Sequence, residues 1–114
     1  MGLLNRKPGS TKQPLKIEKE LTVINPLGLH MRPAALFVRI ASRYRCEVWI
    51  SKEGEEVNGK SIMGLMMLTA GQGSKLKVRC EGVDADKAIE EVVASVIEAE
   101  TGERVFSVED IGLN

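Results

Sequence analysis

The sequence is poor in the residues from which most catalytic centres are assembled. Its 114 residues hold one histidine and two cysteines, Cys46 and Cys80. The cysteines are too far apart for a CxxC pair, and one histidine cannot complete a usual zinc set with them. Neither a metal nor a cofactor is expected. Both cysteines lie in strand-like stretches, which predicts reduced core thiols. Aromatics make up only 4% of the chain. Leu, Ile, Val, Met and Ala must therefore build the core. Formal net charge is zero, with 28% charged residues. That balance argues against a polybasic membrane anchor and against non-specific nucleic-acid binding. No apolar run approaches the roughly 20 residues that span a bilayer. The N-terminus lacks an apolar signal core. Arg6 stands where a myristoylation signal after Met1-Gly2 needs Ser or Thr. The expectation is one cytoplasmic domain.

What is present centres on Gly28-Leu29-His30-Met31-Arg32-Pro33-Ala34-Ala35. His30 follows the turn Asn25-Pro26-Leu27-Gly28 and precedes a helical pattern, so its imidazole belongs at a helix N-terminus. The first N–H groups of a helix lack intrahelical partners, and the macrodipole favours an anion there. Arg32 adds a permanent cation. Pro33 falls in the first turn, where its missing N–H costs little. A lone histidine after a turn is ordinarily just a polar residue at a helix end. The conjunction of Gly, His, Arg and Pro suits one that carries or contacts a phosphoryl group.

Residues 1–16 mix Pro, Gly, Ser, Thr, Lys and Arg without period and predict a disordered extension. Ile17, Leu21 and Val23 alternate into a first strand. From Met31 to about Arg43 the pattern is helical, with Leu36 and Ile40 as a second pair on a partly exposed flank. Cys46 to Ser51 alternates, Lys52-Glu53-Gly54-Glu55 turns, and Glu56-Val57 returns. Ser61 is a candidate N-cap for a short helix to about Leu68. Lys75 to Glu81 is a strand. Asp84 is placed as the cap of a last helix whose buried stripe runs from Ala85 to Ile97 and which Thr101-Gly102 stops. Residues 101–114 read as a tail. The order β-α-β-β-α-β-α predicts an α+β open-faced, two-layer sandwich. Four antiparallel strands carry three helices on one face.

Two stretches together, Gly28-Leu29-His30-Met31-Arg32-Pro33-Ala34 and Asn58-Gly59-Lys60-Ser61-Ile62-Met63-Gly64, resemble the HPr family. These are the histidine phosphocarriers of the bacterial phosphoenolpyruvate-dependent sugar phosphotransferase system. Paired motifs are far more specific than either alone. The resemblance covers about residues 18–100, giving an HPr-like domain over 17–100. It implies that His30 is phosphorylated at Nδ1, and Arg32 matches the active-site arginine. It also implies enzyme I as donor, enzyme IIA proteins as acceptors, and a monomer. Ser61 matches the serine that HPr kinase/phosphorylase modifies in bacteria possessing that enzyme. Met31 departs from the family's usual Ala or Thr, and the tails are absent from the minimal member.

Such a carrier is a transiently phosphorylated protein rather than a turnover enzyme. Neutral imidazole is nucleophilic, and the phosphoramidate is labile enough to pass on. Arg32 and the backbone N–H groups of Met31 and Arg32 would cradle the phosphoryl oxygens. Met31, Leu36, Ile62, Met63 and Met66 are candidates for a repackable docking patch, set against ordinary core packing for about half of the apolar side chains of the second helix. Ser61 has a purely structural reading as a cap. A nitrogen-branch regulatory carrier is the alternative, with Pro33 favouring the sugar type. Catabolite-repression paralogues that lack the active histidine are excluded by His30. A distant alternative is a non-catalytic binding module, using Trp49 with Lys75, Lys77 and Arg79 on the outer sheet face. An RNA-binding sheet wants more aromatics and a basic balance.

Overall fold

Alternation in the strands and 3.6-residue periodicity in the helices fold the chain into the expected order, with one addition. A computed structural model describes residues 15–98 and 101–108. Its elements are β1 (Leu15–Val23), α1 (Met31–Ala41), β2 (Glu47–Lys52), β3 (Glu55–Asn58), α2 (Ile62–Met67), β4 (Lys75–Gly82), α3 (Ala85–Ser95) and β5 (Phe106–Val108). The strands form one antiparallel sheet in the order β3-β2-β4-β1-β5. The three helices cover one face, and the core lies between the two layers. The β2–β3 hairpin closes through Glu53 and Gly54, at φ 52° and 85°. Two positive φ values match the twist of the flanking strands, and Gly54 supplies one without steric cost.

Aliphatic side chains dominate the core, but its two largest fully buried members are Phe37 and Phe106. They meet edge to face at 6.1 Å, a favoured arrangement for two ring quadrupoles. Cys46 and Cys80 are buried free thiols, as expected.

Five expectations need adjusting. Leu15 and Lys16, assigned to the disordered extension, belong to β1 and pair with Gly82 and Glu81; residues 1–14 lie outside the described residues. Ile40 is 2% exposed rather than on a flank. Both α2 and α3 pack on α1, which widens its buried arc. Asp84 occupies the N-cap position of α3 but makes no side-chain cap bond. Its carboxylate instead accepts from the backbone N–H groups of Arg45 and Cys46, at 2.9 and 3.0 Å. Those donors hold its pKa below the usual carboxylate range, Arg45 foremost. The helix α3 ends at Ser95, so Ile97 leaves the buried stripe and is 41% exposed. The chain then turns back, Ile97 bridges Arg104, and Phe106–Val108 adds the fifth strand beside β1. Of the expected tail, residues 109–114 lie outside the described residues.

Candidate functional site

The turn before α1 is locked from two sides. Asn25 is buried, and its Nδ2 donates to the carbonyl of Gly28 at 2.9 Å. Gly28 has φ +75°, and a Cβ there would meet the Ala70 carbonyl oxygen at 2.7 Å. Only glycine fits. Leu29, buried, then donates its N–H to that same Ala70 carbonyl at 2.8 Å. His30 follows as the N-cap of α1 in extended conformation, φ −91° and ψ −168°. Its carbonyl accepts from the Ala34 N–H at 3.0 Å. Met31 and Arg32 occupy the first turn, where N–H groups have no intrahelical acceptor.

The imidazole is fixed from behind. Its Nε2 lies 2.9 Å from Oε2 of Glu98, which is 7% exposed. Asn25 Nδ2 donates to the same oxygen at 3.3 Å. With Glu98 ionised, and so only an acceptor, this contact requires an N–H on Nε2 and leaves the lone pair on Nδ1. Sequence reasoning missed both partners. Asn25 reads as a turn residue. Glu98 sits far along the chain, where a continued helix would have put it on a polar face.

Arg32 is exposed on the first turn of α1. With Ala35, Leu36, Arg39 and Ile97 it lines an open groove of about 350 Å³. Ser61 is the N-cap of α2, its Oγ accepting from the Gly64 N–H at 3.0 Å. Of the candidate docking residues, Met31, Ile62 and Met63 are exposed, whereas Leu36 and Met66 are half-buried against the core. Leu27 and Met67 are further exposed apolar side chains. The two helices bearing these residues pack on each other.

The outer sheet face offers a different picture. Trp49 lies under the Arg79 guanidinium, 5.8 Å from ring centroid to Cζ. Arg79 is itself paired with Glu56 at 2.5 Å. Lys16 opposes Glu81, Glu18 opposes Arg79 and Glu20 opposes Lys77 across β1 and β4. The lone tryptophan is thus covered by a neutralised cation, on a face of alternating charge. A basic stacking platform needs the reverse.

Among the described residues, no His, Cys, Asp and Glu group is arranged to hold a metal. No described helix is long and apolar enough to cross a membrane.

A family model for the PTS HPr component phosphorylation site matches residues 17–98. The chain belongs to the HPr family. HPr of Pseudomonas aeruginosa is 49% identical over 75 residues, 65% of this chain and 83% of that protein. The HPr-like protein Crh of Halalkalibacterium halodurans is 46% identical over 80 residues, 70% of this chain and 95% of that protein. The crystal structure of HPr from Bacillus anthracis superposes with a TM-score of 0.67 at 44% identity, covering 71% of this chain and 96% of that one. HPr proteins are phosphocarriers of the phosphotransferase system, carriers rather than catalysts.

Proposed function

We propose that this HPr-family protein is a monomeric phosphoryl carrier that accepts its group on Nδ1 of His30 from enzyme I and passes it to enzyme IIA acceptors of sugar uptake. The observation that carries this reading is the His30 N-cap with Nε2 engaged by Glu98, because it presents Nδ1 as the free nucleophile. The Nδ1 lone pair attacks the phosphorus in line. The N–P bond forms as the bond to the donor breaks, and the departing pair stays on the donor. The Nε2 proton remains in the Glu98 hydrogen bond throughout. The first-turn N–H groups and the Arg32 guanidinium offset the charge delivered. The acceptor reverses the step.

Exposed Met31, Ile62 and Met63 provide apolar, adaptable surface for successive partners, with half-buried Leu36 and Met66 behind them. Ser61, where HPr kinase/phosphorylase is present, is the regulatory site. A phosphate there adds charge beside that surface rather than unfolding the domain.

Incubation with phosphoenolpyruvate and enzyme I should label the protein with acid-labile, base-stable phosphate. His30→Ala should fold and take up none. Label persisting in that variant would refute the assignment. Supplying sugar-type and nitrogen-type enzyme IIA proteins in parallel separates the two branches, with faster discharge expected to the sugar type.

A further inference from the structure

The family match ends at residue 98, yet the chain beyond it is built into the site. We propose that Gly102 to Val108 is an internal brace that positions Glu98 against His30; Val105 and Phe106 are its positioning residues. The proposal rests on the carrier reading for its consequence, but not for its geometry.

Glu98 is held through its own backbone. Its N–H donates to the Glu103 carbonyl at 2.7 Å, and its carbonyl accepts from the Gly102 N–H at 2.8 Å. One step further out, the Val105 N–H donates to the Val96 carbonyl at 3.1 Å. The Val105 carbonyl accepts from the Ile24 N–H at 2.8 Å, next to Asn25. Val105 and Phe106 are both 0% exposed. Phe106 pairs with Val23 across β1 and β5, and its ring meets Phe37 of α1. The segment therefore touches the Asn25 turn, the helix that His30 caps, and Glu98 itself.

A chain leaving α3 without these partners would fray. Glu98 would then have to be ordered at each encounter with the ring. With them, the carboxylate is preorganised, the Nε2–H tautomer is favoured and the ring is aimed. Loss of that alignment should slow phosphoryl acceptance by about tenfold, less than the roughly hundredfold that a full 1 Å misplacement can cost.

The test compares the full chain, Phe106→Ala, Glu98→Ala and the double variant. Nitrogen-15 NMR of the unphosphorylated His30 ring reads the tautomer. Phosphotransfer from enzyme I and denaturant midpoints are measured alongside. The full chain should show the Nε2–H tautomer. Phe106→Ala should move it toward a mixture and slow transfer about tenfold, and Glu98→Ala added on top should change neither further. If Phe106→Ala does not fold, Phe106→Leu keeps the core apolar and gives the same readings to a smaller degree. A folded Phe106 variant with lower stability but an unchanged tautomer would overturn the brace. So would effects on transfer that multiply with those of Glu98→Ala. The expected tautomer shifts in a protein that takes no phosphate would leave the brace standing and remove the carrier reading.

Discussion

At the scale of single residues, a histidine becomes a directed nucleophile only when one of its two nitrogens is occupied. Here Glu98 engages Nε2 of His30 from a buried position, with Asn25 donating to the same Glu98 oxygen. Glu98→Ala should leave the fold intact and slow phosphoryl acceptance by about tenfold, or roughly 1.4 kcal/mol of barrier. Glu98→Gln, whose amide oxygen still accepts from Nε2–H, should recover most of it. A Gln variant as slow as the Ala variant would mean that the charge, not the hydrogen bond, matters. Ser61 separates two roles in the same way. Ser61→Ala removes the Oγ that accepts from Gly64. It should cost about 1 kcal/mol of stability as a lost N-cap and leave transfer unchanged. Ser61→Asp keeps a capping carboxylate but puts charge beside exposed Ile62 and Met63. It should slow transfer severalfold with unaltered circular dichroism; an unaltered rate would argue against regulation at this residue.

Elements, rather than residues, explain what the sequence disclosed. Strict alternation named β2 and β4, and the Gly54 turn joined β2 to β3, because burial of one sheet face enforces a period of two. The Gly28 to Ala35 run named α1 and its N-terminal histidine for a local reason as well. The end of α3 was not legible. Val92, Val93 and Val96 continue a helical stripe, and nothing local says that Val96 turns extended at ψ 114°. The Val105 N–H holds that turn by donating to the Val96 carbonyl, and Val105 is itself tied to Ile24, far away in sequence. Glu98 was hidden for the same reason, since its role depends on where the chain goes after it. Asp84 shows an element joined to its neighbour by a side chain that propensity would assign elsewhere. Its carboxylate ties the start of α3 to the entry of β2. Its pKa is lowered in the fold from the ordinary 3.8. The stability it contributes is therefore present above that ordinary value and is lost as pH falls through the lower folded one. Asp84→Asn should lose about 1 kcal/mol at neutral pH. The gap between variant and parent should close on acidification below the ordinary carboxylate range. A gap constant down to pH 2 in urea titrations would show that the charge plays no part.

Across the whole molecule, the helical layer and the sheet close over one core, and two thiols report on that closure. Val48 opposes Cys80 in the β2–β4 register, which brings Cys46 beside it. Both are buried, at 2% and 0% exposure. Burial, reinforced by the Cys46 thiol next to it, pushes the Cys80 thiol up to about 12 from 9.0. Burial raises Cys46 as well, helped by Asp84. In the unfolded chain these thiols ionise near their ordinary value, while the folded protein keeps them protonated. Between about 9 and about 12 the unfolded state therefore binds fewer protons, and stability must fall as pH rises. Below that window the thiols contribute no slope. Cys80→Ala should cost about 1 kcal/mol at neutral pH for the small cavity it leaves. It should also remove part of the alkaline loss, so that parent and variant converge as pH is raised toward 11. All other side chains are common to both proteins, and their contributions cancel in the difference. In the native state at pH 8, a thiol reagent should label Cys46 and Cys80 only as fast as the molecule opens globally, accelerating with urea as unfolding does. Rapid labelling without denaturant, or a parent–variant gap that does not narrow at high pH, would show that β2 and β4 part locally and that the sheet does not open as one unit.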